Sequence, residues 1–264
     1  MSAFSVRGIR PGQPVTDFAV APYPGERPAG SWVVDADQRL FPLRPDDAAE
    51  SGWRVIGQDA EPGPCLDDWL VDNGGAPMAA RTPVLSYGSN ANPQKVVHNG
   101  ASLPAVSLAC DVEDLAAVWC HDDRDIRRLP ATLVAWPGGH ERHALTYLTA
   151  GDFAPLDVVE GRADDRYRLV ALTAGRIVRE DGVVPDRVLS YVGGRSHRLP
   201  LVDREGTAVR LTAVGHAAAL RAVHDDRYRP GDLPELGPEL ADPAGVHARA
   251  SDPSGMLAPR SDGG

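Results

Sequence analysis

The sequence predicts an α+β fold that is preceded by an N-terminal strand-and-loop extension. Of the 264 residues 42% are apolar, which is enough to bury a sizeable core. Proline and glycine interrupt the first 80 residues, whereas apolar runs with strand or helix spacing follow from residue 82 onward. We therefore divide the chain into an extension over 1–80, a main domain over 81–235 and a flexible C-terminal tail over 236–264.

The extension contains two short apolar runs, at 31–34 and 39–43. The link over 35–38 suits a hairpin turn, so we predict two paired strands. Apolar residues then recur at helical spacing over 65–72, and Gly74 follows as a stop signal. This pattern predicts a short helix that packs the extension on the main domain.

The main domain begins with a buried strand over 83–87 that runs into the turn Gly88-Ser89-Asn90. Asn92 followed by Pro93 is typical of an N-cap and a first helical residue, and Gly100 is expected to end that helix. Further strands are predicted at 105–109, 115–120, 131–136 and 144–149.

A second short helix is predicted after Thr149 or Asp152. Phe153, Leu156 and either Val159 or Glu160 fall on adjacent turns, and Gly161 ends the pattern. The remaining predicted elements are a strand at 167–174, its hairpin partner at 187–192 and an alanine-rich helix at 213–225. From about residue 240 few apolar side chains could offset ordering entropy, which predicts the flexible tail.

Composition excludes several classes of function. The formal charge of −10 argues against nucleic-acid binding, which depends on clustered Lys and Arg. The N-terminus has no apolar run typical of a signal peptide, and no stretch approaches the roughly twenty apolar residues of a membrane span. We therefore expect a cytoplasmic protein. Cys65, Cys110 and Cys120 have no CxxC spacing and are expected to be free thiols.

The turn at 88–90 is a candidate anion-binding loop. Glycine permits unusual dihedrals and asparagine tolerates the left-handed region, so backbone N–H groups can converge there. Such a turn ahead of a helix forms a concavity that suits an anion. The alternative interpretation is a turn without a ligand.

Glu160 is a candidate proton-transfer group because it ends an apolar segment, Leu156-Asp157-Val158-Val159-Glu160. Burial would raise the pKa of its carboxyl group and make it a usable base near neutral pH. The alternative interpretation is a solvated glutamate at a helix end.

Together the two segments are more specific than either alone. Ser-Tyr-Gly-Ser-Asn ends a predicted strand, Leu-Asp-x-x-Glu-Gly follows later, and Tyr167 lies shortly after Glu160. This order and spacing resembles the gamma-glutamylcyclotransferase family over about residues 82–192. The resemblance implies a small mixed β-barrel with flanking helices and with the extension packed outside it.

In that family the Tyr-Gly-Ser-Asn loop binds the glutamyl moiety through backbone amides, and the glutamate is the general acid/base. Residues 130–133 also resemble the family's strand on the floor of the cleft. The resemblance therefore gives Glu160 the catalytic role and assigns substrate binding to Tyr87, Gly88, Ser89, Asn90 and Tyr167.

The implied activity is cyclisation of a gamma-glutamyl amine or amino acid to 5-oxoproline with release of the free amine. This chemistry requires no metal and no organic cofactor, and the expected partner is a small molecule with a gamma-glutamyl-like group. Two alternatives stay open. One is a non-catalytic module that binds a carboxylate ligand, and the other is an amide hydrolase in which Glu160 activates water.

Other candidate sites carry weaker patterns. Possible metal ligands at 140–143 and 121–123 lack a helix-borne HExxH or a three-histidine pattern, so we treat them as loop residues and predict no metal site. Ser89 is not in a GxSxG motif, which disfavours a serine hydrolase. Asp157 is expected to cap a helix or to pair with an arginine such as Arg168.

Overall fold

The computed structural model describes residues 5–57, 61–122, 129–232 and 235–241, and it shows an α+β protein with one large mixed sheet and few helices. The strands are β1 (Ser5–Arg7), β2 (Gln13–Pro14), β3 (Glu26–Pro28), β4 (Trp32–Val34), β5 (Arg39–Pro45), β6 (Trp53–Ile56), β7 (Pro62–Cys65), β8 (Thr82–Ser86), β9 (Ala105–Trp119), β10 (Ala131–Leu148), β11 (Tyr167–Ala171), β12 (Arg176–Arg179), β13 (Leu189–Gly193), β14 (Leu201–Val202) and β15 (Arg229–Pro230). The α-helices are α1 (Leu66–Asp72), α2 (Pro93–His98), α3 (Phe153–Glu160) and α4 (His216–His224). Short 3-10 turns occur at Val15–Asp17, Met78–Ala80, Ser89–Ala91, Ala150–Asp152 and Arg162–Asp164.

The main sheet runs in the order β11-β13-β8-β10-β9-β4-β5-β6-β7, with β12 paired to β9 and β2 paired to β5. Most neighbours are antiparallel, but β13 and β8 are parallel, so the sheet is mixed. The predicted α+β class is thus confirmed. The strand pairing does not show barrel closure, and the small barrel stays a prediction.

Strands from the first 80 residues belong to this same sheet. Trp32 pairs with Ser107 and Val34 with Ala105, which joins β4 to β9. The predicted hairpin is confirmed, because β4 and β5 are antiparallel and Gln38 turns the chain with a φ of 59°. The sequence boundary at residue 80 therefore falls between strands of one sheet, and the division into domains stays a prediction.

The two longest strands differ from the prediction of four shorter ones. β9 and β10 pair almost throughout, with an irregularity in register between Ala135 and His140. Asp114 and Gly138 have left-handed φ values of 61° and 75°, and the Asp114 carboxylate accepts a hydrogen bond of 2.6 Å from the Gly138 amide. A bulge in the paired strands accommodates Gly138 at this point. Residues 140–143, which we treated as a loop, therefore lie within β10.

The helices around the predicted site form where the sequence places them. The Asn92 side chain accepts a hydrogen bond of 3.1 Å from the Lys95 amide, which confirms it as the N-cap of α2. Gly161 ends α3 with a left-handed φ of 64°, as predicted. α4 begins at His216 rather than at residue 213.

Apolar side chains are buried on both faces of the sheet. Trp32, Trp53 and Trp119 are among the largest fully buried side chains. The start of the predicted tail pairs with β11, because the Leu240 amide donates to the Leu169 carbonyl. The rest of that tail, from residue 242, lies outside the described residues. No helix in the described part of the chain is long and apolar enough to cross a membrane.

Candidate active site

Residues 87–90, hereafter the cradle loop, connect β8 to α2 at the mouth of a pocket. Ser89 begins a single 3-10 turn that leads into the Asn92 cap. Within the described part of the chain, no hydrogen bond uses the amides of Gly88, Ser89 or Asn90. Three backbone donors at one pocket are suited to bind an anion.

Glu160 is the last residue of α3, and its carboxylate meets the cradle loop. The Asn90 side-chain amide donates a hydrogen bond of 2.6 Å to Glu160 Oε1. Glu160 is only 9% exposed although it ends a helix. The helix end therefore presents its carboxylate to the same pocket as the unused amides.

Burial raises the pKa of Glu160 above its ordinary value. The hydrogen bond from Asn90 and the positive charges of Arg198 and Arg166 act in the opposite direction, but burial outweighs them. A carboxyl group with a raised pKa exchanges protons more readily near neutral pH. A raised pKa of this kind is what the predicted general acid/base requires, and the role of Glu160 stays a prediction.

The site has two connected compartments. The inner pocket has a cavity volume of about 70 Å³ and is walled by apolar and aromatic side chains such as Leu85 and Leu156. The outer pocket has a volume of about 870 Å³ and is bordered by basic side chains, among them Lys95 and Arg166. Residues that line both compartments are Tyr23, Ser89, Asn90, Asn99, Glu160 and Tyr167.

The two predicted tyrosines line the inner pocket with their rings, while their hydroxyl groups bond to the protein. Tyr87 Oη donates to the Tyr191 carbonyl. Tyr167 Oη donates to the Ala131 carbonyl at 2.8 Å and accepts from Arg198 at 3.3 Å. Both side chains thus shape the wall of the pocket.

All six residues predicted for the site line this inner pocket, although they come from three separate parts of the chain. β8 and the turn after it supply the cradle loop, α3 supplies Glu160, and β11 begins with Tyr167. Their individual roles stay predictions. The floor predicted at 130–133 contributes Ala131, which also lines the pocket.

Several solved structures match this chain. One described as a gamma-glutamyl cyclotransferase has 14% identity and a TM-score of 0.39, and the match covers 46% of this chain and 70% of that one. A human protein described as uncharacterized has 15% identity and a TM-score of 0.39, with 46% and 71% covered. An Arabidopsis thaliana protein solved in solution has 17% identity and a TM-score of 0.35, with 56% and 85% covered. No protein-family model and no curated protein sequence matches the chain. Similarities of this size do not assign the chain to a family.

Arg27, from the extension, holds the cradle loop and was not predicted from the sequence. Its Nη2 donates to the Tyr87 carbonyl and, at 3.2 Å, to the Gly88 carbonyl. Its Nη1 lies 3.3 Å from His143 Nδ1. Because a guanidinium only donates, this nitrogen of His143 must accept, so its Nε2–H faces Glu141 at 3.0 Å. Burial and the positive charge of Arg27 lower the pKa of His143, consistent with a neutral ring.

Asn99, at the end of α2, also escaped prediction. Its side-chain amide donates a hydrogen bond of 2.9 Å to Asn90 Oδ1, which leaves Asn90 Nδ2 to donate to Glu160. These two partners define the orientation of the Asn90 amide, whose nitrogen faces Glu160 and whose oxygen faces Asn99. A single asparagine at a helix end carries no sequence pattern that would identify this role.

The expectation for Asp157 needs a correction. It pairs with an arginine, as predicted, but the partner is Arg162 at 2.6 Å rather than Arg168. Tyr191 Oη donates a hydrogen bond of 2.7 Å to the other carboxylate oxygen of Asp157. Arg168 instead lies 3.9 Å from Glu239. Arg162 is the nearer partner because it follows α3 within the next turn.

Proposed function

We propose that this protein cyclises a gamma-glutamyl amine or amino acid to 5-oxoproline and releases the free amine, with Glu160 as general acid/base. One observation carries the proposal. The Asn90–Glu160 hydrogen bond joins a buried carboxylate of raised pKa to a loop with three unused backbone donors. An acid/base and an anion site in one pocket are the two groups that this reaction requires.

The amides of Gly88, Ser89 and Asn90 would bind the substrate's α-carboxylate. Backbone amides carry partial positive charge, and in a partly enclosed pocket they favour a negative partner. Binding there would fold the glutamyl chain so that its α-amine approaches its own γ-carbonyl. The protein need not supply a nucleophile, because the substrate contains its own.

Glu160 would move one proton in two steps. As the α-amine nitrogen bonds to the γ-carbon, the Glu160 carboxylate accepts a proton from that nitrogen, and the carbonyl oxygen becomes an oxyanion. As the oxyanion collapses, the bond to the leaving nitrogen breaks and Glu160 returns the proton to it. The products are 5-oxoproline and a neutral amine, with no net change at the enzyme.

The two compartments would separate the two parts of the substrate. The small, partly apolar inner pocket suits the glutamyl group, and the wide outer pocket would receive the leaving amine. The residues shared by both compartments, including Glu160, would then lie at the bond that breaks.

The test is product identification by mass spectrometry. The purified full chain would be incubated with a panel of gamma-glutamyl amino acids and gamma-glutamylated amines. We expect 5-oxoproline and free amine in equal amounts from at least one member of the panel. Free glutamate would instead indicate an amide hydrolase, and no product from any member would favour a binding module; either result would overturn the proposal.

A further inference from the structure

The inner pocket is lined by four tyrosines, and their hydroxyl protons differ in use. Tyr87 Oη donates to the Tyr191 carbonyl, and Tyr167 Oη donates to the Ala131 carbonyl. Tyr191 Oη donates to the Asp157 carboxylate. Three of the four protons are therefore bound to acceptors of the protein itself.

Tyr23, from the extension, is the exception. Its hydroxyl oxygen accepts a hydrogen bond of 3.1 Å from the Ala131 amide. Among the residues that the structure describes, none accepts the Tyr23 hydroxyl proton. A phenol can accept and donate at once, so this group keeps a donor for a ligand in the pocket.

The position of the Tyr23 hydroxyl is fixed from both ends. Its ring packs against Trp119 and His216, with centroid separations of 5.8 Å and 6.2 Å. The bond from the Ala131 amide holds the oxygen at the other end. A donor that is already in place needs little reorganisation when charge develops on a substrate.

The hydroxyl lies at the cradle loop and at the junction of the two compartments. A methyl group on Gly88 would lie only 2.9 Å from Tyr23 Oη, which shows how closely the loop and the phenol approach. Tyr23 lines both the inner and the outer pocket, as Glu160 does. Burial, with a smaller contribution from the Glu160 carboxylate, raises the pKa of Tyr23, so the phenol stays protonated.

We propose that Tyr23 is a catalytic residue that donates a hydrogen bond to the γ-carbonyl oxygen of the substrate as this oxygen becomes an oxyanion. The inference rests on the proposed cyclotransfer. The phenol keeps its proton throughout: its hydrogen bond strengthens when the ring-closing C–N bond forms and weakens when the bond to the leaving amine breaks. The extension thus supplies one of the groups that act on the reacting atoms.

Contacts between the extension and the cradle loop support this assignment. Arg27, four residues after Tyr23 in the chain, donates to the carbonyls of Tyr87 and Gly88. From the other side, Asn92 Nδ2 donates to the Ala19 and Glu26 carbonyls at 3.0 Å and 2.9 Å. The segment that carries Tyr23 is therefore held on both sides of this residue, by the cradle loop and by Asn92 at the start of α2.

The test compares the full-length wild type with Tyr23→Phe on the panel member that gives most 5-oxoproline. The variant keeps the ring and its packing but loses the hydroxyl. We expect kcat to fall about 100-fold with KM nearly unchanged, as for loss of one oxyanion donor. Tyr228→Phe is the matched control because Tyr228 is partly buried against the core and lines neither compartment. It should retain wild-type kcat.

The outcomes separate this inference from the proposed function. If the wild type makes 5-oxoproline and Tyr23→Phe keeps its full kcat, the role of Tyr23 is wrong while cyclotransfer stands. If the wild type makes none, cyclotransfer fails and the role of Tyr23 fails with it. Thermal unfolding shows whether Tyr23→Phe is folded at the assay temperature. A 100-fold loss that lies wholly in KM would also contradict an oxyanion role, because that pattern indicates ground-state binding.

Discussion

The side chain of Asn90 donates a hydrogen bond of 2.6 Å to the carboxylate of Glu160, although 70 residues separate them in the sequence. This bond joins the loop after β8 to the end of α3. It also opposes the effect of burial on the Glu160 carboxyl group, because a donor favours the charged form.

Replacing Asn90 with leucine should shift the pH dependence of the reaction. Loss of the hydrogen bond raises the pKa of Glu160 further, so the carboxylate needed as base forms only at higher pH. The acidic limb of the kcat/KM profile should therefore move to higher pH. Asn73→Leu, at an exposed helix end, is the control. An unchanged acidic limb in Asn90→Leu would mean that another group controls it.

Replacing Glu160 with glutamine should stabilise the protein while it removes activity. Burial raises the pKa of Glu160 in the folded state, so between the unfolded and the folded pKa the folded protein binds a proton that the unfolded chain has released. Stability is therefore lost as pH rises from the unfolded value of about 4.3 through the folded pKa. A neutral glutamine avoids the cost of burying a charged carboxylate and can still accept the hydrogen bond from Asn90.

We expect the Tm of Glu160→Gln at pH 7 to rise by about 2–4 °C, equivalent to ~1 kcal/mol for a domain of 150–250 residues. Below about pH 4 the gain should vanish, because both states of the wild type are then protonated. Exposed Glu205 provides the matched control, Glu205→Gln, which should show no gain. A lower Tm in Glu160→Gln at pH 7 would contradict the claim that burial destabilises the Glu160 carboxylate.

Arg27→Gln should weaken both the fold and the site. The guanidinium donates to two carbonyls of the cradle loop, and hydrogen bonds to charged groups contribute about 1.5–3 kcal/mol. We expect the free energy of unfolding in urea to fall by about 2–3 kcal/mol. We also expect a higher KM, because the loop is held less firmly. Arg44→Gln, on the exposed side of β5, should change neither quantity.

Gly88→Ala should disturb the contact with Tyr23. The added methyl group would lie 2.9 Å from Tyr23 Oη, which is closer than such contacts allow, so the phenol or the loop must move. We expect a lower kcat from this change, and a smaller further loss when it is introduced into Tyr23→Phe, because the two residues are coupled. Gly8→Ala is the control, since no atom lies within 4 Å of the added group. Strictly additive effects would show that Gly88 and Tyr23 act independently.

Local patterns in the sequence predicted the parts of the site that depend on local structure. The strand before Tyr87, the Asn92 cap and the Gly161 stop each follow from a few neighbouring residues, and each is confirmed. The approach of Glu160 to the cradle loop was implied by the resemblance to the gamma-glutamylcyclotransferase family, which rests on the order and spacing of two segments. Each of these features could be predicted because it depends on residues close together in the chain or on a recognisable motif.

The contributions of Tyr23, Arg27 and Asn99 could not be predicted in this way. Tyr23 and Arg27 lie in a proline- and glycine-rich segment with no periodic pattern, and their partners are 60 or more residues away. Such contacts depend on the pairing of β4 with β9, which joins the extension to the sheet. Asn99 acts through one side-chain bond to Asn90, which leaves no trace in residue spacing.

The most direct measurement is the rate of 5-oxoproline formation by wild type and Glu160→Gln, at pH 7, with the best gamma-glutamyl substrate of the panel. Glutamine keeps the shape and the bond from Asn90 but cannot transfer the proton. We expect kcat to fall by about 1,000-fold, within the range for loss of a general acid/base. Full turnover by Glu160→Gln, with the variant folded as judged by its Tm, would contradict the central role of this carboxylate.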